Sequence, residues 1–187
     1  MSRPANRLCV SPRGPLRLPL LLVALSVGGC AGSQTPLATV EHVDLDRFMG
    51  DWYVIANIPT FLERGAHNAV ETYELADDGT ITTTFVFRKD GFDGERKEYN
   101  PRAWVTDTTT NAVWGMQFIW PIKADYRIVY LDEDYSRTII GRNKRDFVWI
   151  MARSPAIDEA HYAELTALIA DMGYDTSKLR KVPQRWQ

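Results

Sequence analysis

Cysteine is almost missing from the chain. There are two among 187 residues, Cys9 and Cys30, and none follows. No disulfide can therefore brace the region after residue 30, and no thiol there can act as a nucleophile. Histidine is also scarce. His42, His67 and His161 are scattered without the spacing of metal ligands, and a Gly-x-Ser-x-Gly elbow is absent. Neither a metal nor a cofactor is expected, and no catalytic residue is assigned. The apolar run from Leu18 to Val27 is interrupted early by Pro19 and is shorter than the roughly 18 residues needed to span a bilayer. Positive charge is short as well. Without the first 29 residues, Lys+Arg falls from 22 to 18 against 24 Asp+Glu, so the formal charge moves from −2 to −6. That balance does not suit a nucleic-acid partner.

The amino terminus has the organisation of a secretory signal peptide. Arg3, Arg7, Arg13 and Arg17 precede the apolar run, no acid accompanies them, and small residues Val27-Gly28-Gly29 lead to Cys30. Val-Gly-Gly-Cys resembles the lipobox of bacterial lipoproteins. That likeness implies cleavage before Cys30 and acylation of Cys30, with chains of the palmitate type. By the same resemblance, Ala31 points to the outer membrane, periplasmic side. Each buried methylene stabilises attachment by about 0.8 kcal/mol. The expected divisions are a signal peptide at 1–29, a lipidated terminus and tether at 30–42, and one domain at 43–187. Removing 29 of the 187 residues leaves 158, enough for one well-buried core. Residues 31–40 are small and polar, and ten of them reach on the order of 34 Å when extended.

From residue 50 the pattern is short strands with turns at near-regular spacing, which predicts an antiparallel barrel or sandwich. The candidate strands are 52–58, 69–75, 80–88, 97–106, 112–119, 126–131, 137–141 and 147–153. Asp77-Asp78-Gly79 and Asp90-Gly91 mark turns. One helix follows. Asp158 caps it, Leu165, Leu168, Ile169 and Met172 form its apolar stripe, and Gly173 ends it. The strand before it is apolar on both faces, so the helix is expected to cover the outside. A short final strand is placed near 179–182.

Two segments suggest how one end of such a barrel is closed. Gly50-Asp51-Trp52 opens the first strand and Arg153 ends the last. A guanidinium laid over the Trp52 indole is worth roughly 0.5–2 kcal/mol, depending on its exposure. With Phe61-Leu62-Glu63-Arg64-Gly65, Tyr73-Glu74-Leu75, Leu131-Asp132-Glu133-Asp134-Tyr135 and Trp149-Ile150-Met151-Ala152-Arg153-Ser154-Pro155, in this order, the chain resembles the lipocalin family. The likeness is strongest to its bacterial outer-membrane lipoprotein branch, which is related to apolipoprotein D. It runs from about Val43 to the carboxyl terminus. The family's Thr-Asp-Tyr motif stands here as Leu131-Asp132-Glu133. The resemblance implies an all-β, eight-stranded up-and-down barrel with a carboxyl-terminal α-helix packed outside, of a size to hold one small ligand. It leaves a homodimer open.

Strand alternation gives the expected lining. Val54 and Ala56 share the face of Trp52, and Phe147, Trp149 and Met151 share that of Arg153. Ile81, Phe85 and Phe87 form one face, Trp114, Met116 and Phe118 another, and Tyr126, Ile128 and Tyr130 a third. Tyr73 is added by resemblance. A bulge would reverse the parity beyond it. Such a lining suits an acyl chain. Twelve buried methylenes contribute roughly 10 kcal/mol before the costs of association. Loops at the Trp52 end hold acids, whereas the opposite end holds Arg64, Arg88, Lys89, Arg96, Lys97, Lys123, Arg142, Lys144 and Arg145, expected to draw an anionic head group, with the first five as the head-group candidates. The expected function is a membrane-anchored binder that stores or transports a fatty acid or lysophospholipid in the cell envelope. Two alternatives stand beside it. One is an enzyme of this fold working on a bound lipid through Asp125 or Glu71. The other is a structural lipoprotein whose barrel is filled.

Overall fold

The computed structural model describes residues 35–186. The expected signal peptide, residues 1–29, and Cys30 lie outside the described residues. A one-turn helix, α1 (Leu45–Phe48), comes first. The Asp44 carboxylate accepts the Arg47 N–H at 3.2 Å, one of the N–H groups a helix start leaves without a partner. The strands are β1 (Gly50–Ile58), β2 (Ala66–Leu75), β3 (Thr80–Lys89), β4 (Arg96–Tyr99), β5 (Arg102–Val105), β6 (Val113–Ile119), β7 (Ile122–Leu131), β8 (Arg137–Gly141) and β9 (Val148–Ala152). All pairings are antiparallel, and β9 returns to β1 to close the sheet. Because β4 and β5 both pair with β3, they are two halves of one barrel strand, and the barrel is eight-stranded.

Most strand bounds shift by one to three residues from expectation, and two differ further. The strand expected over 97–106 is broken at Asn100-Pro101. Pro101 has no N–H for the ladder, although its carbonyl still accepts the Thr83 N–H at 3.2 Å. Strand β7 starts at Ile122 rather than Tyr126. Its early charged residues interrupt the apolar pattern but have local partners. Lys123 Nζ lies 4.3 Å from the Trp104 ring centroid, and Asp125 accepts Arg127 Nε–H at 3.0 Å and the Asn143 N–H at 2.8 Å.

Two bulges correct the expected parity. Register shifts lie between Val54 and Ala56 and between Ile128 and Tyr130. A bulge leaves one residue unpaired and turns the following side chains over. Val54 therefore stays inside, opposite Met151, while Ala56 pairs with Ile150 and faces outward. Tyr130 likewise packs on the outer side, opposite Ile139.

The outer cluster explains the helix. Ile55, Ala56, Ile139, Val148, Ile150 and Ala152 form an apolar patch outside the barrel. Helix α2 (Glu159–Asp171) covers it with buried Leu165 and Ile169. Each such side chain contributes roughly 1.5–3 kcal/mol on burial. Asp158 caps α2 by accepting the His161 N–H at 2.8 Å, and Gly173, at φ 87°, carries the left-handed turn that ends it. The His161 Nδ1 lies 2.7 Å from Asp158 Oδ2. A last strand, β10 (Arg180–Lys181), adds to β1.

Candidate functional site

The barrel has a closed end and an open one. At the closed end Trp52 is fully buried, and its indole N–H donates to the Phe48 carbonyl at 2.8 Å. The Arg153 guanidinium carbon sits 3.9 Å from the Trp52 ring centroid. Its nitrogens donate to the carbonyls of Asp51, Arg47, Phe48 and Met49 at 2.7–3.0 Å. Three of these carbonyls lie at the carboxyl end of α1, where a cation is favoured. Gly50 permits the approach. It adopts φ +91°, and a Cβ there would stand 3.4 Å from Arg153 Nη1.

Above this plug, the closed half is packed with side chains. Phe48 contacts Trp52 and Trp114 with centroids 5.0 and 5.3 Å apart, and Trp114 stacks on Tyr126 at 5.2 Å. Val54, Tyr73, Ile128 and Met151 complete the filling and are almost wholly buried. These residues, with Trp114, point inward as parity requires, but they do not line open space. Phe87 is also inward, yet it packs against Phe85 and Tyr99, with centroids 5.2 and 6.2 Å away.

The open half holds a cavity of about 220 Å³. Of the expected lining, Phe85, Met116, Phe118, Tyr126 and Trp149 border it, with Phe147 beside them. Phe61, Leu62, Ile122 and Ala124 add apolar walls that strand alternation had not supplied. Phe61 and Ile122 are 70% and 67% exposed, so the rim itself is apolar. An apolar cavity of about 150 Å³ admits a benzene ring, and pockets for drug-sized molecules start at about 300 Å³. The space therefore suits part of one slim chain.

Three carboxyl side chains and one guanidinium border this cavity: Glu63, Glu71, Asp125 and Arg142. Asp125 is held by Arg127 and Asn143. Buried Glu63 accepts from Trp149 Nε1–H at 2.6 Å, the Thr60 N–H at 2.9 Å and Asn57 Nδ2–H at 3.5 Å. Glu71 accepts the Tyr73 hydroxyl, which lies 2.7 Å from the Tyr126 hydroxyl. Burial pushes the Glu71 carboxyl up from 4.5 to about 7; the Tyr73 hydrogen bond opposes the rise and the nearby Glu63 charge adds to it. Burial, then the adjacent Glu71, raises both tyrosines well above their ordinary range. Glu71 stands two residues from Tyr73 on β2, so strand alternation puts it on the same inward face, a signal the expected lining did not use.

The five head-group candidates among the mouth cations do not border the cavity. Arg64 is exposed, and Lys89 donates to the Arg64 carbonyl and lies 3.6 Å from Asp90. Arg88 donates to the Gly94 carbonyl at 3.3 Å. Arg96 and Lys97 pair with Glu98 and Glu95 at 2.5 and 2.7 Å. Nearby acids thus take up the charges of Lys89, Arg96 and Lys97. The cation that does border the cavity is Arg142, just after β8. Its Nη1 lies 3.3 Å from Asp146 Oδ2, and its buried Nε has no partner among the described residues. The Tyr174 hydroxyl fixes its backbone, accepting its N–H at 2.7 Å and donating to its carbonyl at 3.1 Å.

Residues 43–184 match the family described as a lipocalin-like domain. The chain is 32% identical over 157 residues to temperature-induced lipocalin-1 of Arabidopsis thaliana, covering 79% of this chain and 83% of that one. It is 30% identical over 175 residues to the outer membrane lipoprotein Blc of Escherichia coli (strain K12), covering 89% and 97%. Among solved structures, the major allergen Per a 4 from cockroaches superposes with a TM-score of 0.61 at 18% identity, covering 82% and 96%, a likeness of fold.

Proposed function

The chain belongs to the lipocalin-like family, whose members bind small hydrophobic ligands, and from that premise we propose that it carries a single-chain lipid in the cell envelope. The observation that supports this most is the combination of a plugged base and an apolar cavity open to solvent. The hydrocarbon lies against Phe85, Met116, Phe118 and Trp149, and each methylene removed from water contributes about 0.8 kcal/mol. The head group stays near Arg142, whose unpartnered Nε–H and position at the open end favour a carboxylate or phosphate. A fatty acid or lysophospholipid has both parts.

The envelope reading rests on the Val27-Gly28-Gly29-Cys30 pattern and on the likeness to an outer membrane lipoprotein. In this proposal an acylated Cys30 holds the protein to the outer membrane, with residues 31–40 as a tether. Carriage does not require chemistry on the lipid.

Displacement of a fluorescent fatty acid tests the binding. Palmitate and lysophosphatidylcholine should displace the probe in the micromolar range, and Met116→Arg should abolish probe binding by placing a charge in the cavity. Fractionation of cells expressing Cys30→Ser tests the anchor: the wild type should follow the membrane and the variant the soluble fraction. Probe binding that survives Met116→Arg contradicts the cavity as the site.

A further inference from the structure

The inner end of the cavity is polar, and its polarity has a direction. An ionised Glu71 offers no proton, so the Tyr73 hydroxyl must donate to it. With that proton committed, Tyr126 is the donor in the 2.7 Å contact between the two hydroxyls. The chain thus runs from Tyr126 through Tyr73 to Glu71 and uses both of its protons. Acceptors remain, and they are on residues bordering the cavity: Glu71 and Tyr126 do, Tyr73 does not. Among the described residues, no donor reaches Glu71 Oε1. The contrast with Glu63 is direct, since that carboxylate receives three donors from the protein.

We propose that Glu71 and Tyr126 form a station for a hydroxyl on the buried part of the ligand, so that the preferred lipid is a hydroxylated acyl chain rather than a plain one. This rests on the reading of the cavity as a lipid site and narrows its ligand. A hydroxyl fits because it donates to a carboxylate and accepts from a protonated carboxyl, and so pairs with Glu71 in either state. A carboxylate placed there meets Glu71 and Glu63, two groups of its own sign. An ammonium shares the cavity with Arg142. A methyl terminus leaves the Glu71 oxygen buried against hydrocarbon without a partner, the situation in which sites made to hold a hydroxyl reject analogues lacking it.

The test compares ω-hydroxy fatty acids of eight to sixteen carbons with their unsubstituted parents, by displacement from the full chain. At the length that reaches Glu71, the hydroxy acid should bind about tenfold more tightly than its parent. Glu71→Leu should reverse that order. Tyr126→Phe keeps the Tyr73–Glu71 bond and removes one acceptor, so it should lower the preference several-fold; it decides the matter if Glu71→Leu does not fold. Parents that bind as tightly as the hydroxy acids at every length overturn the station while leaving lipid carriage intact. An alkylamine that outcompetes both also overturns it. Failure of every chain to bind overturns the carrier reading, and the station with it.

Discussion

Glu71 should impose a pH dependence on stability that runs opposite to that of an ordinary carboxylate. It titrates near 4.5 when the chain is unfolded and near 7 in the folded protein, where burial raises it. Between those values the folded state keeps a proton that the unfolded state has released. Stability must then fall as pH rises through this window, and level off above it. At 1.36 kcal/mol per pH unit, the interval amounts to about 3 kcal/mol. For a domain of this size that corresponds to roughly 6–12 °C in Tm. Glu71→Gln keeps an amide oxygen to accept the Tyr73 hydroxyl and removes the titration. Thermal unfolding of both proteins from pH 4.5 to 8 measures the difference directly. Carboxyls held below their ordinary range, such as Asp78, Asp107 and Asp158, act at the acid end and cancel between the two curves. The wild-type Tm should drop relative to the variant through the window. Parallel curves would refute the burial of an unneutralised carboxyl at the cavity floor.

Further outcomes follow from other contacts. Arg153→Ala removes the donors to four carbonyls and the cation over Trp52, and should lower stability by about 2–3 kcal/mol in urea unfolding with less than about threefold change in lipid affinity, since neither Arg153 nor Trp52 borders the cavity. Leu165→Ala should cost about 2–5 kcal/mol, because α2 is held on the barrel by two fully buried side chains. Joint neutralisation of Arg88, Lys89, Arg96 and Lys97 should change fatty-acid affinity by less than about threefold, since acids and backbone carbonyls already hold these cations, whereas Arg142→Ala should weaken it about tenfold, measured by displacement at fixed salt.

The barrel was legible because its signals are local. Strand β8 carries the expected bounds, and Asp158 and Gly173 end α2 where capping chemistry puts them. Trp52 and Arg153 are far apart in the chain but occupy complementary strand ends. Parity placed the interior correctly until a bulge intervened. Ala56 and Tyr130 then turned outward, and no residue type at either bulge announces it. The strand expected over 97–106 ran through Pro101, although the missing N–H of that residue is a signal for the break. How far the interior is filled depends on side-chain volumes meeting across the axis. Alternation along one strand cannot show that Trp114, Tyr73 and Phe48 close the lower half. The mouth charges misled for a similar reason. A count of loop cations does not reveal that Glu95, Glu98 and Asp90 lie beside them.

The claim on which the rest depends is that a hydrocarbon chain occupies the open half of the barrel, beside Trp149. Quenching by an acyl chain brominated along its length tests this most directly, because bromine quenches an indole only at close contact. Stoichiometric brominated lipid should quench the wild type and Trp104→Phe alike, and Trp149→Phe should lose most of the effect. Equal quenching in Trp149→Phe and the wild type would contradict a chain in the cavity.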